Sequence, residues 1–238
     1  MKLLLATTLI LSTSLLCAAQ LSHEGMMQTG KKIYESTCIS CHGVDGKTNP
    51  NIKLVVKPRQ LSKSILTEAQ MFKIAKYGAH AFGSHADIMP TFKYVYDDDQ
   101  IRSVVHYVSQ TFNKGRDERV KRLLKESTKL TQEQKAQRLK VGSKIFHRKC
   151  AMCHGDTGNG QSEYVEQSKA DENFIYPYNL QKILLNEDQI FLFAKFGGHF
   201  WGTHKSDMPS WKKRYNDVKL KSIAHYVAQK IKKPNNPQ

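Results

Sequence analysis

The sequence predicts an all-α protein of two tandem helical units, and three observations carry that expectation. The pattern Cys-x-x-Cys-His occurs twice, at Cys38 to His42 and at Cys150 to His154. The segments around the two copies repeat one another over most of the chain, the mark of an internal duplication. Apolar residues recur at helical spacing, and nothing alternates strongly enough to suggest a sheet.

In chain order, residues 1–19, MKLLLATTLILSTSLLCAA, place Lys2 before an apolar run and then small residues, with Cys17 and Ala19 falling as in an A-x-A-like cleavage site. This reads as a cleaved secretory signal peptide and implies the periplasm. The run is short for a membrane span and has no charged stop-transfer flank, which disfavours a retained anchor. Ser14-Leu15-Leu16 lacks the small residue expected before a lipidated cysteine. Residues 20–115 form the first unit. Residues 116–130 are dense in charge, with only Val120, Leu123, Leu124 and Leu130 apolar, and read as a solvated helical linker. Residues 131–238 form the second unit. It opens on Thr131-Gln132-Glu133-Gln134, which has the form of a capping box before a helix carrying Ala136, Leu139, Ile145 and Phe146 on one face. Residues 67–77 and 186–196 repeat as amphipathic helices, and 98–112 and 217–230 as the closing helix of each unit.

The duplication is explicit. GKKIYESTCISCHG (30–43) faces GSKIFHRKCAMCHG (142–155) at an offset of 112 residues, and YGAHAFGSHADIMPTF (77–92) faces FGGHFWGTHKSDMPSW (196–211) at an offset of 119. The second unit therefore has seven extra residues. They fall in the polar stretch 156–176, where a loop lengthens at small entropic cost.

The chemistry lies in the repeated pentapeptide. Two cysteines three apart near a helix end can add to the two vinyl groups of one porphyrin, while the adjacent histidine turns onto the iron. A zinc ribbon places its paired cysteines roughly 15 to 20 residues apart, far closer than these, and a thiol redox pair needs no histidine after it. Cys38, Cys41, Cys150 and Cys153 are thus the expected attachment points of two covalent haem c groups, with His42 and His154 as proximal iron ligands. Of the five cysteines, Cys17 leaves with the signal, so none remains for a disulfide or an axial thiolate.

The sixth ligand separates electron carriers from catalysts. Met89-Pro90 and Met208-Pro209 repeat, each with an aromatic residue two positions after the proline, Phe92 or Trp211. A thioether is a soft, neutral ligand that favours ferrous iron, and Met89 and Met208 are the expected choice. The repeated His80, His85, His199 and His204 are rivals that would give bis-histidine haems; otherwise they serve propionates or loop carbonyls. His106, His225, Met71 and Met152 read as packed or partly exposed residues with no special role.

On these residues each half resembles a class I cytochrome c domain, and the whole is similar to the small periplasmic dihaem cytochromes c. The match covers nearly all of the chain after residue 19. The resemblance implies that Gly30, Tyr34 and Tyr107, and likewise Gly142, Phe146 and Tyr226, form the crossing of the first and last helices of each unit. It also implies that Pro58 and Pro177 lie on the proximal side, where a carbonyl can orient the haem-ligating histidine, and that the propionate edges approach one another between the units. The long basic linker, the longer loop of unit two and the repeated H-x4-H-x3-M pattern depart from that family.

The chain carries 37 basic and 21 acidic residues, a formal charge of +16 that becomes +15 once Lys2 leaves with the signal. Such a field steers redox partners with acidic docking surfaces or draws the protein to an anionic membrane face; export and the haem motifs argue against nucleic acid. The expected function is transfer of single electrons through two His/Met haems, with no intrinsic enzyme activity. The alternative is a dedicated cytochrome subunit of a periplasmic oxidoreductase acting on sulfur compounds or nitrogen oxides. A haem catalyst such as a peroxidase is a third reading, opposed by the methionine available in each unit.

Overall fold

A computed structural model describes residues 22–54, 57–84, 89–124, 130–172, 174–203 and 208–234. Residues 1–19, read above as a signal peptide, lie outside them, as do His85 and His204. The all-α expectation holds, and among the described residues there is no strand. No helix among them is long and apolar enough to cross a membrane.

The first unit opens with α1 (His23–Ile33), started by the Ser22 hydroxyl, which accepts the Gly25 N–H. A π-helical turn (Tyr34–Cys38) carries it into α2 (Ile39–His42), which ends at Gly43. Next come α3 (Glu68–Tyr77) and α4 (Asp98–Phe112), each started by a capping box, Thr67 with Gln70 and Asp97 with Gln100. After α5 (Arg116–Leu124), the second unit repeats the plan with α6 (Gln132–Ile145), a π-helical turn (Phe146–Cys150) and α7 (Ala151–His154). Helix α8 (Glu163–Ser168) occupies the longer loop of this unit, and α9 (Glu187–Phe196) and α10 (Asp217–Tyr226) complete it. The capping box at Thr131 and Gln134 stands where the sequence placed it.

In each unit the first and last helices cross at a glycine. A Cβ on Gly30 would lie 2.1 Å from the Ser103 carbonyl oxygen, and one on Gly142 would lie 2.0 Å from that of Ser222. Only a residue without a side chain lets the backbones approach this closely. Aromatic rings close the crossings: Tyr34 meets Tyr107 at 5.7 Å between centroids, and Phe146 meets Tyr226 at 5.5 Å.

Helix α5 is not a freely solvated spacer. Val120 is buried in the core of the second unit, Leu123 and Leu124 pack on the same core, and Ile65 of the first unit is buried there too. Arg119 donates to the Ser64 carbonyl and Asn113 Oδ1, and Arg116 Nε to the Ile65 carbonyl. A charged helix here carries an apolar stripe that the second unit covers.

The units meet about a pseudo-two-fold axis. Gln60 N–H donates to the Gly202 carbonyl at 3.0 Å, and Asn179 N–H to the Gly83 carbonyl at 2.9 Å; these are the same pair at the 119-residue offset, read in both directions. Gly83 and Gly202 hold left-handed backbone, and a Cβ on Gly83 would lie 2.3 Å from the Asn179 carbonyl oxygen. On the axis the Gln70 and Gln189 amides donate to one another, both at 2.8 Å. Their remaining N–H groups reach Leu184 O and Ile65 O, again equivalent positions. Each Oε1 also accepts the N–H of its own helix N-cap, Thr67 or Asn186.

Candidate haem-binding sites

Each attachment motif begins on the last residue of a π-helical turn. In it, the Ile39 N–H reaches back five residues to Tyr34 O, and the Ala151 N–H reaches Phe146 O. One added residue rotates the downstream helix by roughly 100°. The extra residue thus shifts the cysteines relative to the glycine face on which α1 and α6 cross the closing helices. No local sequence signal marks these turns.

Cys38 and Ile39 pack on Ile33, Tyr34, Val104 and Val108, whereas Met89 packs on Ala75, Ile101 and Val105; Met71 and Tyr96 touch both groups. Tyr96 Oη also lies 2.6 Å from Thr37 Oγ1, which joins the stretch before Cys38 to the stretch after Met89-Pro90. Burial pushes the Cys38 thiol up to about 11 and the Cys150 thiol up to about 12, the neighbouring cysteine of each motif acting in the same direction. Near neutral pH both are S–H groups, the form that adds across a vinyl double bond.

The two histidines are half-buried, and desolvation lowers both below the ordinary imidazole range. They are neutral bases with a lone pair to give. His154 Nδ1 lies 3.1 Å from the Tyr178 carbonyl oxygen; since a carbonyl only accepts, Nδ1 carries the proton and Nε2 is left as the metal-binding nitrogen. His42 Nδ1 is buried with the Arg59 carbonyl acting on it from the equivalent position, outside bonding geometry. The carbonyls that face the histidines belong to the residues directly after Pro58 and Pro177, within the segments the resemblance put on the proximal side. The Pro58 carbonyl instead accepts Thr48 Oγ1 at 2.8 Å. Thr48 and Gly160, its counterpart at an offset of 112, both hold positive φ and donate their N–H to the carbonyl of the motif histidine.

The Met-Pro segments are pinned at the ends of α3 and α9. Met89 O accepts the Ala79 N–H, Thr91 Oγ1 donates to Lys76 O, and Phe92 N–H to Ala75 O. Met208 O, Ser210 Oγ and Trp211 N–H repeat the pattern with Gly198, Lys195 and Ala194. Both methionine side chains are half-buried. His80 and His199 are exposed at the start of 3-10 turns, while His106 and His225 face Glu68 and Glu187 through Nδ1. The donor set in each unit fits a covalent haem: two thiols three residues apart, a neutral imidazole and a thioether held by backbone bonds.

The family model described as cytochrome C oxidase, cbb3-type, subunit III matches residues 25–108 and again residues 137–227. Among curated proteins, the chain is 24% identical over 206 residues to the Cbb3-type cytochrome c oxidase subunit CcoP of Cereibacter sphaeroides, covering 83% of this chain and 59% of that protein. It is also 24% identical over 208 residues to the protein of that name from Azospirillum sp., covering 84% and 61%. The chain thus spans about three fifths of the length of these relatives. A chain of the reducing HAO-like protein complex of Kuenenia stuttgartiensis is 20% identical, with 90% of this chain and 100% of that one covered at a TM-score of 0.47.

Proposed function

The chain belongs to the family of cbb3-type cytochrome c oxidase subunit III, a family of dihaem cytochromes c, and on that premise we propose that it carries single electrons between redox partners in the periplasm. It binds two covalent haem c groups, one per cytochrome c domain, and these supply one-electron iron couples. Cys38 and Cys41 hold one group, and Cys150 and Cys153 the other. His42 and His154 would give their Nε2 lone pairs to the irons, and Met89 and Met208 would supply thioether ligands. The residues of the chain hold, orient and shield, and no acid, base or nucleophile is needed.

The observation that carries this reading is the repeated ligand frame: a half-buried neutral histidine facing a backbone carbonyl, and a Met-Pro segment tied by three bonds to the end of a helix, in both units. A reductive titration of the holoprotein tests it. The reading expects two one-electron steps per chain, with Met89→Ala and Met208→Ala each lowering the potential of a different haem. A single two-electron step, or variants that leave both potentials in place, would count against it. A second reading, a dedicated subunit of an oxidoreductase complex, draws support from relatives named as oxidase subunits. Purification at low salt tests it, because a bound partner would remain with the chain and be lost as salt rises.

A further inference from the structure

The two halves of the domain interface are equivalent in backbone but not in charge. Arg59 of the first unit and Tyr178 of the second stand at the same position of the repeat, and their carbonyls face the two motif histidines. The Arg59 side chain crosses into the second unit. Its guanidinium carbon lies 5.1 Å from the centroid of the Tyr178 ring and 5.4 Å from that of Phe193, close enough for both rings to hold the cation. No cation returns, because the second unit has Tyr178 where the first has Arg59, and the position of Phe193 is Ile74 in the first unit. Among the described residues no salt bridge forms to Arg59. The cation therefore rests on the residue whose carbonyl orients His154.

We propose that Arg59 is a positioning residue that biases the electron toward the second haem, the one attached through Cys150 and Cys153. This rests on the carrier reading above and adds a direction to it. A fixed positive charge stabilises the less positive, ferrous state of a nearby iron, and it acts most strongly where it is closest and least hydrated. The aromatic pair holds the cation on the side of the second unit, and Tyr178, whose ring it faces, also faces His154 through its carbonyl. The resting place of one electron shared between the haems then depends on a residue that belongs to the first unit.

Arg59→Gln and Arg59→Lys separate charge from packing. The holoprotein is titrated with reductant and followed by NMR of the haem methyl groups, which distinguishes the two haems, while Soret circular dichroism and thermal unfolding report whether the interface persists. Arg59→Gln is expected to move the electron of the half-reduced protein toward the first haem by about threefold to tenfold, tenfold being ~59 mV for a one-electron couple. Arg59→Lys, which keeps the charge but not the planar stack, is expected to retain most of the wild-type distribution. An unchanged distribution in Arg59→Gln, an equal shift of both haems, or the same shift in both variants would overturn the inference. Failure of the carrier reading would appear separately, as carbon monoxide binding to the unmodified reduced protein.

Discussion

At the helix crossings one methyl group is too much. Gly142→Ala would drive a Cβ to 2.0 Å from the Ser222 carbonyl oxygen and 2.8 Å from Tyr226 Cβ, and neither neighbour is the free end of a flexible side chain. The helices must separate, and a stability loss of about 3 kcal/mol or more is expected in urea unfolding, with Gly30→Ala behaving alike. At the iron, Met208→Ala should let the reduced second haem bind carbon monoxide, read as one new ligand equivalent per chain. Gly30 and Gly142 stand where the resemblance put them, because so close a backbone approach needs Gly; the cysteines and methionines were legible as candidates because few side chains form a thioether bond or offer a soft neutral ligand. The carbonyls of Arg59 and Tyr178 were not legible, since every residue has a carbonyl. Only the fold decides which one meets a histidine, and here it chose the residues after the two prolines.

Elements show the same division. The capping box at Thr131 and the first closing helix arise from local pattern and stand where pattern put them, while the second closing helix is α-helical only to Tyr226 and continues as a π-helical turn over Val227–Ile231. The π-helical turns that end on Cys38 and Cys150 do not arise from local pattern, because the demand for them is tertiary: one face of the helix must cross its partner and another must present thiols. The Gln70–Gln189 pair was hidden for a similar reason. Each glutamine satisfies a local capping pattern, and only the meeting of two units gives it a second task. Gln189 is 1% exposed, so Gln70→Leu strands a buried amide and should cost about 1–3 kcal/mol. Replacing both by Leu should cost less than the sum of the single changes, with a coupling of about 0.5–3 kcal/mol in a double-mutant cycle. Additive losses would show that the two amides do not act as a pair.

For the whole molecule, the interface and the docked helix α5 make one body of two repeats. The core of the second unit includes Ile65 and Val120 from the chain before residue 131, so a single cooperative thermal transition is expected by calorimetry, and two separate transitions would contradict this packing. Sequence alone read α5 as solvated because its charges dominate; which side of it is covered depends on the second unit. The formal charge of +16 predicts that association with an acidic redox partner weakens steeply as salt rises, in on-rate above all, by stopped flow. In the carrier reading, two six-coordinate haems pass electrons without performing chemistry on a substrate. Titration of the reduced, unmodified holoprotein with carbon monoxide, quantified per haem, is the decisive experiment. No binding is expected at either iron; stoichiometric binding at one of them would overturn the carrier reading and mark that iron as open to a substrate.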